Sequence, residues 1–221
     1  MIEVSNLNVS IEGTPILRDI SLIVPKGEMV GLVGRNGAGK TTLMRSIMGL
    51  ARPDSGRIRI GQTDATTEAG FWRARHHVGY MPEDRRLVPD LSVEENMLIP
   101  AWATHLEAPE QKLEAIYELM PEVRQFAPRP ATSLSGGQQK LVAMARALMI
   151  GQETLLLDEP FEGVAPTLCK RLVDVIMALK GKGLSVLISE SDYTYTRGIV
   201  DRSYAIERGS VSTGSHTAKA L

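Results

Sequence analysis

The sequence predicts an α/β fold: a mostly parallel core sheet built around a phosphate-binding loop, an antiparallel β layer, and an inserted helical subdomain. Three observations predict it. Gly34-Arg35-Asn36-Gly37-Ala38-Gly39-Lys40-Thr41-Thr42 fits G-x-x-x-x-G-K-[ST] between an apolar run, Met29–Val33, and a helical pattern, Thr42–Met48. Two further apolar runs, 154–158 and 184–188, flank an amphipathic stretch from Pro166 to Lys180, the pattern of a parallel β-α-β unit. Ahead of the loop, Ile2–Val9 and Ile16–Val24 alternate as two strands joined by the turn Glu12-Gly13-Thr14-Pro15.

Composition sets the bounds. The 221 residues carry 43% hydrophobic and 23% charged side chains with a net charge of −1, as expected of a globular protein without a basic field for nucleic acid or anionic lipid. A single cysteine, Cys169, cannot form an internal disulfide and fits a reducing compartment. The N-terminus has no signal-peptide pattern, and no apolar run reaches bilayer-spanning length, so a role at a membrane would run through partners on its cytoplasmic side.

Taken in order, Pro25-Lys26-Gly27-Glu28 turns the chain into the loop strand. After the loop helix, Arg52–Gly56 is a turn into a short strand at Arg57–Ile60. Residues 61–77 read as loop with a short helix, and Val78–Pro82 as a strand ended by its proline. Ser92-Val93-Glu94-Glu95 is a capping box opening a helix, and Glu110–Leu119 has helical spacing at Leu113, Ile116 and Leu119 or Met120. Pro121, Pro128 and Pro130 punctuate this stretch. Short strands near Tyr204–Ile206 and Val211–Ser212 follow, then a loose tail. The expected organisation is an α/β core with its β layer at roughly 1–90 and 151–214, a helical subdomain at roughly 91–150, and a tail at 215–221.

The loop states its chemistry. Glycines let several backbone N–H groups converge on phosphate oxygens, and the helix behind them adds a positive end. Lys40 reaches β- and γ-phosphates in this arrangement, and Thr41 places a hydroxyl on Mg²⁺. Leu155-Leu156-Leu157-Asp158-Glu159 is an apolar strand ending in two carboxylates: Asp158 suits Mg²⁺, and Glu159 suits orienting and polarising water beyond the γ-phosphate. Leu134-Ser135-Gly136-Gly137-Gln138 opens the helix from Gln139 to Met149. Alone it reads better as an ordinary N-cap; its N–H groups and serine hydroxyl can also form a second anion site.

These motifs, in this order, resemble an ATPase subunit of an ABC transporter, over nearly the whole chain. Within that family, Met81 to Asn96, with Glu83 where a loop glutamine is usual and Arg85-Arg86 behind it, is similar to the branched-chain amino-acid importer branch, as is Glu162-Gly163-Val164-Ala165-Pro166. The resemblance implies ATP and Mg²⁺ as cofactors, Glu83 near both, and an ATP gripped by this chain's Gly34–Thr42 and a second ATPase subunit's Leu-Ser-Gly-Gly-Gln helix. It implies two transmembrane permease subunits, an external solute-binding protein, a place on the cytoplasmic face of the membrane, and no nucleic-acid partner. The solute it implies is a hydrophobic amino acid or a small relative such as urea, an amide or an aromatic acid. Two positions depart from the family pattern: Ile11 stands where an aromatic stacks on adenine, and Ser191 where a histidine contacts the γ-phosphate. The alternatives are a soluble ABC protein of DNA repair or translation, which usually fuses two cassettes, and a small-molecule kinase, which leaves Leu134–Gln138 unexplained. His76, His77, His105 and His216 have no metal or triad context, and the ten methionines read as core filler.

Overall fold

The computed structural model describes residues 1–214; the predicted tail at 215–221, with His216, lies outside the described residues. Six strands form the core sheet: β3 (Met29–Val33), β6 (Val78–Met81), β7 (Thr154–Asp158), β8 (Ser185–Glu190), β9 (Arg202–Glu207) and β10 (Ser210–Gly214), in the order β10-β9-β3-β8-β7-β6. All neighbours run parallel except the β9–β10 hairpin. A four-stranded antiparallel sheet, β1 (Ile2–Ile11), β2 (Thr14–Val24), β4 (Ser55–Ile60) and β5 (Thr63–Asp64), has the order β2-β1-β4-β5. The two-residue β5 and helix α2 (Gly70–Arg75) lie within residues 61–77, where the sequence predicts loop and a short helix but no strand.

The period-two alternation of buried strands sorts the core into two clusters. Leu156, Leu187, Val30 and Leu32 face the antiparallel sheet and helix α1 (Lys40–Ile47). Leu155, Leu157, Val186 and Ile188 face the opposite way, onto α6 (Gly136–Ile150) and α7 (Pro166–Lys180). The loop at the end of β3 therefore sits at the rim of a sheet covered on both faces, the usual place for a ligand in a parallel sheet.

Helices α3 (Val93–Thr104), α4 (Pro109–Leu119) and α5 (Pro121–Phe126) come between β6 and α6 and share the second cluster with it. Ser92 caps α3 in a reciprocal capping box with Glu95. On α4 the buried set is Leu113, Ile116 and Tyr117, with Met120 buried just beyond; Tyr117, absent from the sequence-based set, donates to Glu94 Oε2 at 2.9 Å. Pro121 does not merely interrupt the helical run. It opens α5 at the first turn, where a missing N–H costs nothing.

Candidate active site

Geometry at the loop is dictated by backbone. A Cβ on Gly34 would collide with the carbonyl of Ile206 on β9, and Gly39, the N-cap of α1, sits at φ 110°, open only to glycine without strain. The loop is closed by Gly34 N–H on the carbonyl of Glu190 at 3.1 Å and by Ala38 N–H on that of Arg35 at 3.0 Å. Beside it lies a cleft of about 400 Å³ lined by Ile16, Asn36, Gly37, Gly39, Lys40, Thr41, Thr42, Glu83 and Glu159. The structure thus gathers most of the sequence-predicted phosphate-loop residues with Glu83 and Glu159 around one space.

Lys40 is buried at 5% exposure. Its ammonium donates to the carbonyls of Gly34 and Arg35 and pairs with Glu159 Oε1 at 2.8 Å. Ser191, from the segment after β8, donates to Asn36 Oδ1 at 2.8 Å and lies 3.1 Å from Glu159 Oε1. Its hydroxyl joins the loop to the carboxylate, rather than standing apart from both.

Asp158 is fully buried at the end of β7. Ser189 Oγ donates to its Oδ1 at 2.6 Å, Tyr80 Oη to its Oδ2 at 3.3 Å, and Thr41 also bonds it. Burial pushes the Asp158 carboxyl up, opposed by those three donors. Burial likewise raises Glu83, reinforced by the charges of Glu162, Asp158 and Glu159. Glu83 and Glu159 line the cleft, and the charges of Glu162 and Asp158 add to theirs around Glu83, a field that favours a cation. Among the described residues no three His, Cys, Asp or Glu side chains form a metal cage. The hard oxygen set of the Thr41 hydroxyl with Asp158 and Glu83 nonetheless fits Mg²⁺, which takes one or two carboxylates and completes its shell with phosphate and water oxygens.

Ser135, Gly136, Gly137 and Gln138 are absent from this cleft lining. Ser135 Oγ accepts from Gln138 N–H at 3.4 Å, and the Gln138 side chain accepts from Ser135 N–H at 3.0 Å, so α6 begins with a reciprocal capping box. Ser135 and Gly136 face solvent while Leu134 is buried beneath them. Ile11 ends β1, 43% exposed, paired with Thr14 across the hairpin; Ile16, two residues further along β2, lines the cleft in its place. The two-residue turn at Glu12-Gly13 is tighter than the four-residue turn read from sequence, which brings Thr14 and Pro15 into β2.

Several residues of the site escape a sequence reading. Tyr80 and Ser189 reach Asp158 because parallel pairing aligns Tyr80 with Leu156 and Ser189 with Asp158. The only sequence trace of Ser189 is its position at the C-terminal end of an apolar strand. Glu190 is buried at 8% exposure and accepts from Phe161 N–H at 3.2 Å; burial pushes its carboxyl up to about 8.

A sequence profile of the family described as "ABC transporter" matches residues 17–162. The chain is 36% identical over 201 residues, 90% of it and 71% of the relative, to a protein of Azorhizobium caulinodans named a probable ABC transporter ATP-binding protein. It is 35% identical to the lipopolysaccharide export system ATP-binding protein LptB of Escherichia coli, covering 92% of this chain and 86% of that one. With the high-affinity branched-chain amino acid transport ATP-binding protein BraG of Pseudomonas aeruginosa it shares 33%, over 88% and 84%. Among solved structures, a nucleotide-free ATP-binding cassette from an ABC transporter superposes with a TM-score of 0.85 at 27% identity, over 96% of this chain and 89% of that one. The cbiO1 protein of Clostridium perfringens, described as part of the ABC transporter complex cbiONQ, superposes at 0.80 and 25% identity, over 96% and 86%.

Proposed function

The chain belongs to the ABC transporter family as an ATP-hydrolysing subunit, and on that premise we propose that it works in a pair of such subunits to drive import of hydrophobic amino acids or related small solutes. The observation that carries the reading is the convergence of Lys40, Thr41 and Glu159 on one cleft beside the glycine loop, with Asp158 buried behind it and bonded to Thr41.

In this mechanism the loop amides and the start of α1 hold the triphosphate. Lys40 exchanges its pairing with Glu159 for phosphate oxygens, one acceptor for another of the same sign. Glu159, freed, orients a water whose oxygen attacks the γ-phosphorus while the bond to the β-phosphate oxygen breaks, giving ADP and phosphate. Ser191 steadies the Glu159 carboxylate from the other side. Thr41, Asp158 and Glu83 would hold Mg²⁺, which supplies charge neutralisation on the phosphates when bound. The Ser135–Gln138 start of α6, with Ser135 and Gly136 facing solvent, serves the ATP of a second ATPase subunit, in keeping with its place outside its own chain's cleft.

Partners follow from the surface. Leu50, Phe71 and Trp102 are large apolar side chains at 49%, 67% and 52% exposure. Near α2 and α3 an apolar groove of about 240 Å³ includes Met48, Ile99 and Pro100. Such apolar surface suits cover by a permease subunit at the cytoplasmic side of the membrane; no described helix is itself long and apolar enough to span one. The importer reading, with an external solute-binding protein, rests on Glu83, Arg85 and Arg86 and on the likeness to BraG. The likeness to LptB supports a second reading, lipopolysaccharide export. The relatives carry transport names, and a role in DNA repair or translation gains no support from them.

Affinity purification of the full chain from detergent-solubilised native membranes separates these readings. Recovery of permease subunits, with loss of leucine uptake in a deletion strain restored by wild type but not by Lys40→Ala, is the expected result. Unchanged uptake with defective outer-membrane lipopolysaccharide would favour export, and recovery free of any membrane protein would contradict both.

A further inference from the structure

We propose that Lys140 is a positioning residue for hydrolysis: from α6, its buried ammonium fixes the backbone turn that aims the Glu159 carboxylate into the cleft. The inference rests on the reading of Glu159 given above.

Glu159 occupies the left-handed region at φ 49°, where a side chain with a Cβ is strained and persists only if its surroundings hold it. Two elements do so. On one side, its N–H lies 3.2 Å from both the carbonyl and the hydroxyl of Ser189 on β8. On the other, its carbonyl accepts from Lys140 Nζ. The turn is thus tied at both backbone groups, and its side chain meets Lys40 and Ser191 in the cleft.

Lys140 is an expensive residue for this task. It is 2% exposed, where lysine is rarely found, and burial lowers its pKa, against the raising effect of Glu190, Glu162 and Glu159. A methionine of similar length would fill the same space without the cost of burying a charge. What it would lack is the donor to Glu159. The cost therefore falls at the one carbonyl whose orientation sets the candidate water-positioning group. Lys140 does not line the cleft, so it acts through Glu159 and not on nucleotide.

The test uses the full-length chain with Lys140→Met, Lys140→Met/Glu190→Gln and Glu159→Gln, measuring kcat, KM for ATP and melting temperature. Misplacing a reacting group by an ångström costs about 100-fold, so Lys140→Met is expected to lower kcat by about 10- to 100-fold. KM should stay within about threefold, because the lost interaction belongs to the transition state and not to nucleotide binding. The double variant removes the acid left beside the new methionine and should recover melting temperature while kcat stays low. Should Lys140→Met alone fail to fold, the double variant carries the same expectation. A kcat within about twofold of wild type in either Lys140 variant, with Glu159→Gln inactive, overturns the proposal. Recovery of kcat and melting temperature together in the double variant also overturns it, reducing Lys140 to a stabilising role. Wild-type turnover by Glu159→Gln would instead overturn the reading of Glu159, and this proposal with it.

Discussion

Asp158 shows how a single carboxylate is tuned. Buried, it resists ionisation; Ser189, Thr41 and Tyr80 donate to it and favour the charged form that a cation needs. The bond from Ser189 is shorter than that from Tyr80, 2.6 Å against 3.3 Å. Removing such a supporting group typically weakens metal affinity by about 10- to 100-fold, so Ser189→Ala should raise the Mg²⁺ concentration for half-maximal turnover by about 10-fold or more. Tyr80→Phe should move it less. A Mg²⁺ titration on both variants checks the order, and an unchanged midpoint for Ser189→Ala would remove Asp158 from the metal site. At this scale the sequence was legible wherever chemistry is written locally: Gly34–Thr42 and Asp158-Glu159 each carry their meaning within a few residues. Ser189, Tyr80 and Lys140 were not, because their roles depend on register and on a helix crossing from elsewhere in the chain.

The element that ties the cleft together is α6. Besides Lys140, it presents Gln139 to Arg85 Nη1 at 3.0 Å and Arg146 to the carbonyls of Arg85 and Arg86. Arg85 and Arg86 stand at φ 63° and 50°, two consecutive non-glycine residues in the left-handed region. The segment that carries Glu83 is therefore clamped by a helix whose other end begins at Ser135. Hydrogen bonds from a charged donor are worth about 1.5–3 kcal/mol each, so Arg146→Met, which ends both, should destabilise the chain by about 2 kcal/mol or more. Urea unfolding measures the loss, and amide exchange should quicken at Arg85 and Arg86 before it does in β7. An unchanged midpoint and exchange pattern would show that the loop holds itself. The sequence identified α6 and its capped start, and it identified Arg85-Arg86 as a run. It offered no reason to connect them, since 60 residues separate Arg146 from Arg86.

Over the whole molecule, two apolar clusters grip the sheet from opposite faces, and titratable groups are buried where they meet the site. Glu190, at the end of β8, faces Glu159 after β7, Lys140 on α6 and the N–H of Phe161. Burial raises its pKa from 4.5 to about 8, so the folded chain binds more protons than the unfolded chain between those values. Its contribution to stability is complete below about pH 4.5 and is lost as pH rises through about 8. Glu190→Gln should therefore flatten the decline of stability between pH 5 and 8, read from melts across that range; an identical slope in both proteins would contradict the assignment. The architecture itself was legible because periodicity and motif order agreed: period-two runs for the buried strands, a glycine loop at one strand end, a capped helix ahead of the acidic strand. Lost were the exact hairpin at Glu12-Gly13 and the short β5, whose pairing a local pattern does not encode.

The central claim is that this cleft binds ATP through Lys40 and hydrolyses it with water placed by Glu159. The most direct measurement is single-turnover hydrolysis with retained nucleotide counted on the same sample, for wild type, Lys40→Ala and Glu159→Gln. Lys40→Ala should retain no ATP, because it removes a buried cation facing the phosphates. Glu159→Gln should retain ATP and cleave it about 10²–10³-fold more slowly, the typical loss when one group acting on the transition state is removed. Glu159→Gln cleaving ATP at the wild-type rate would contradict the account.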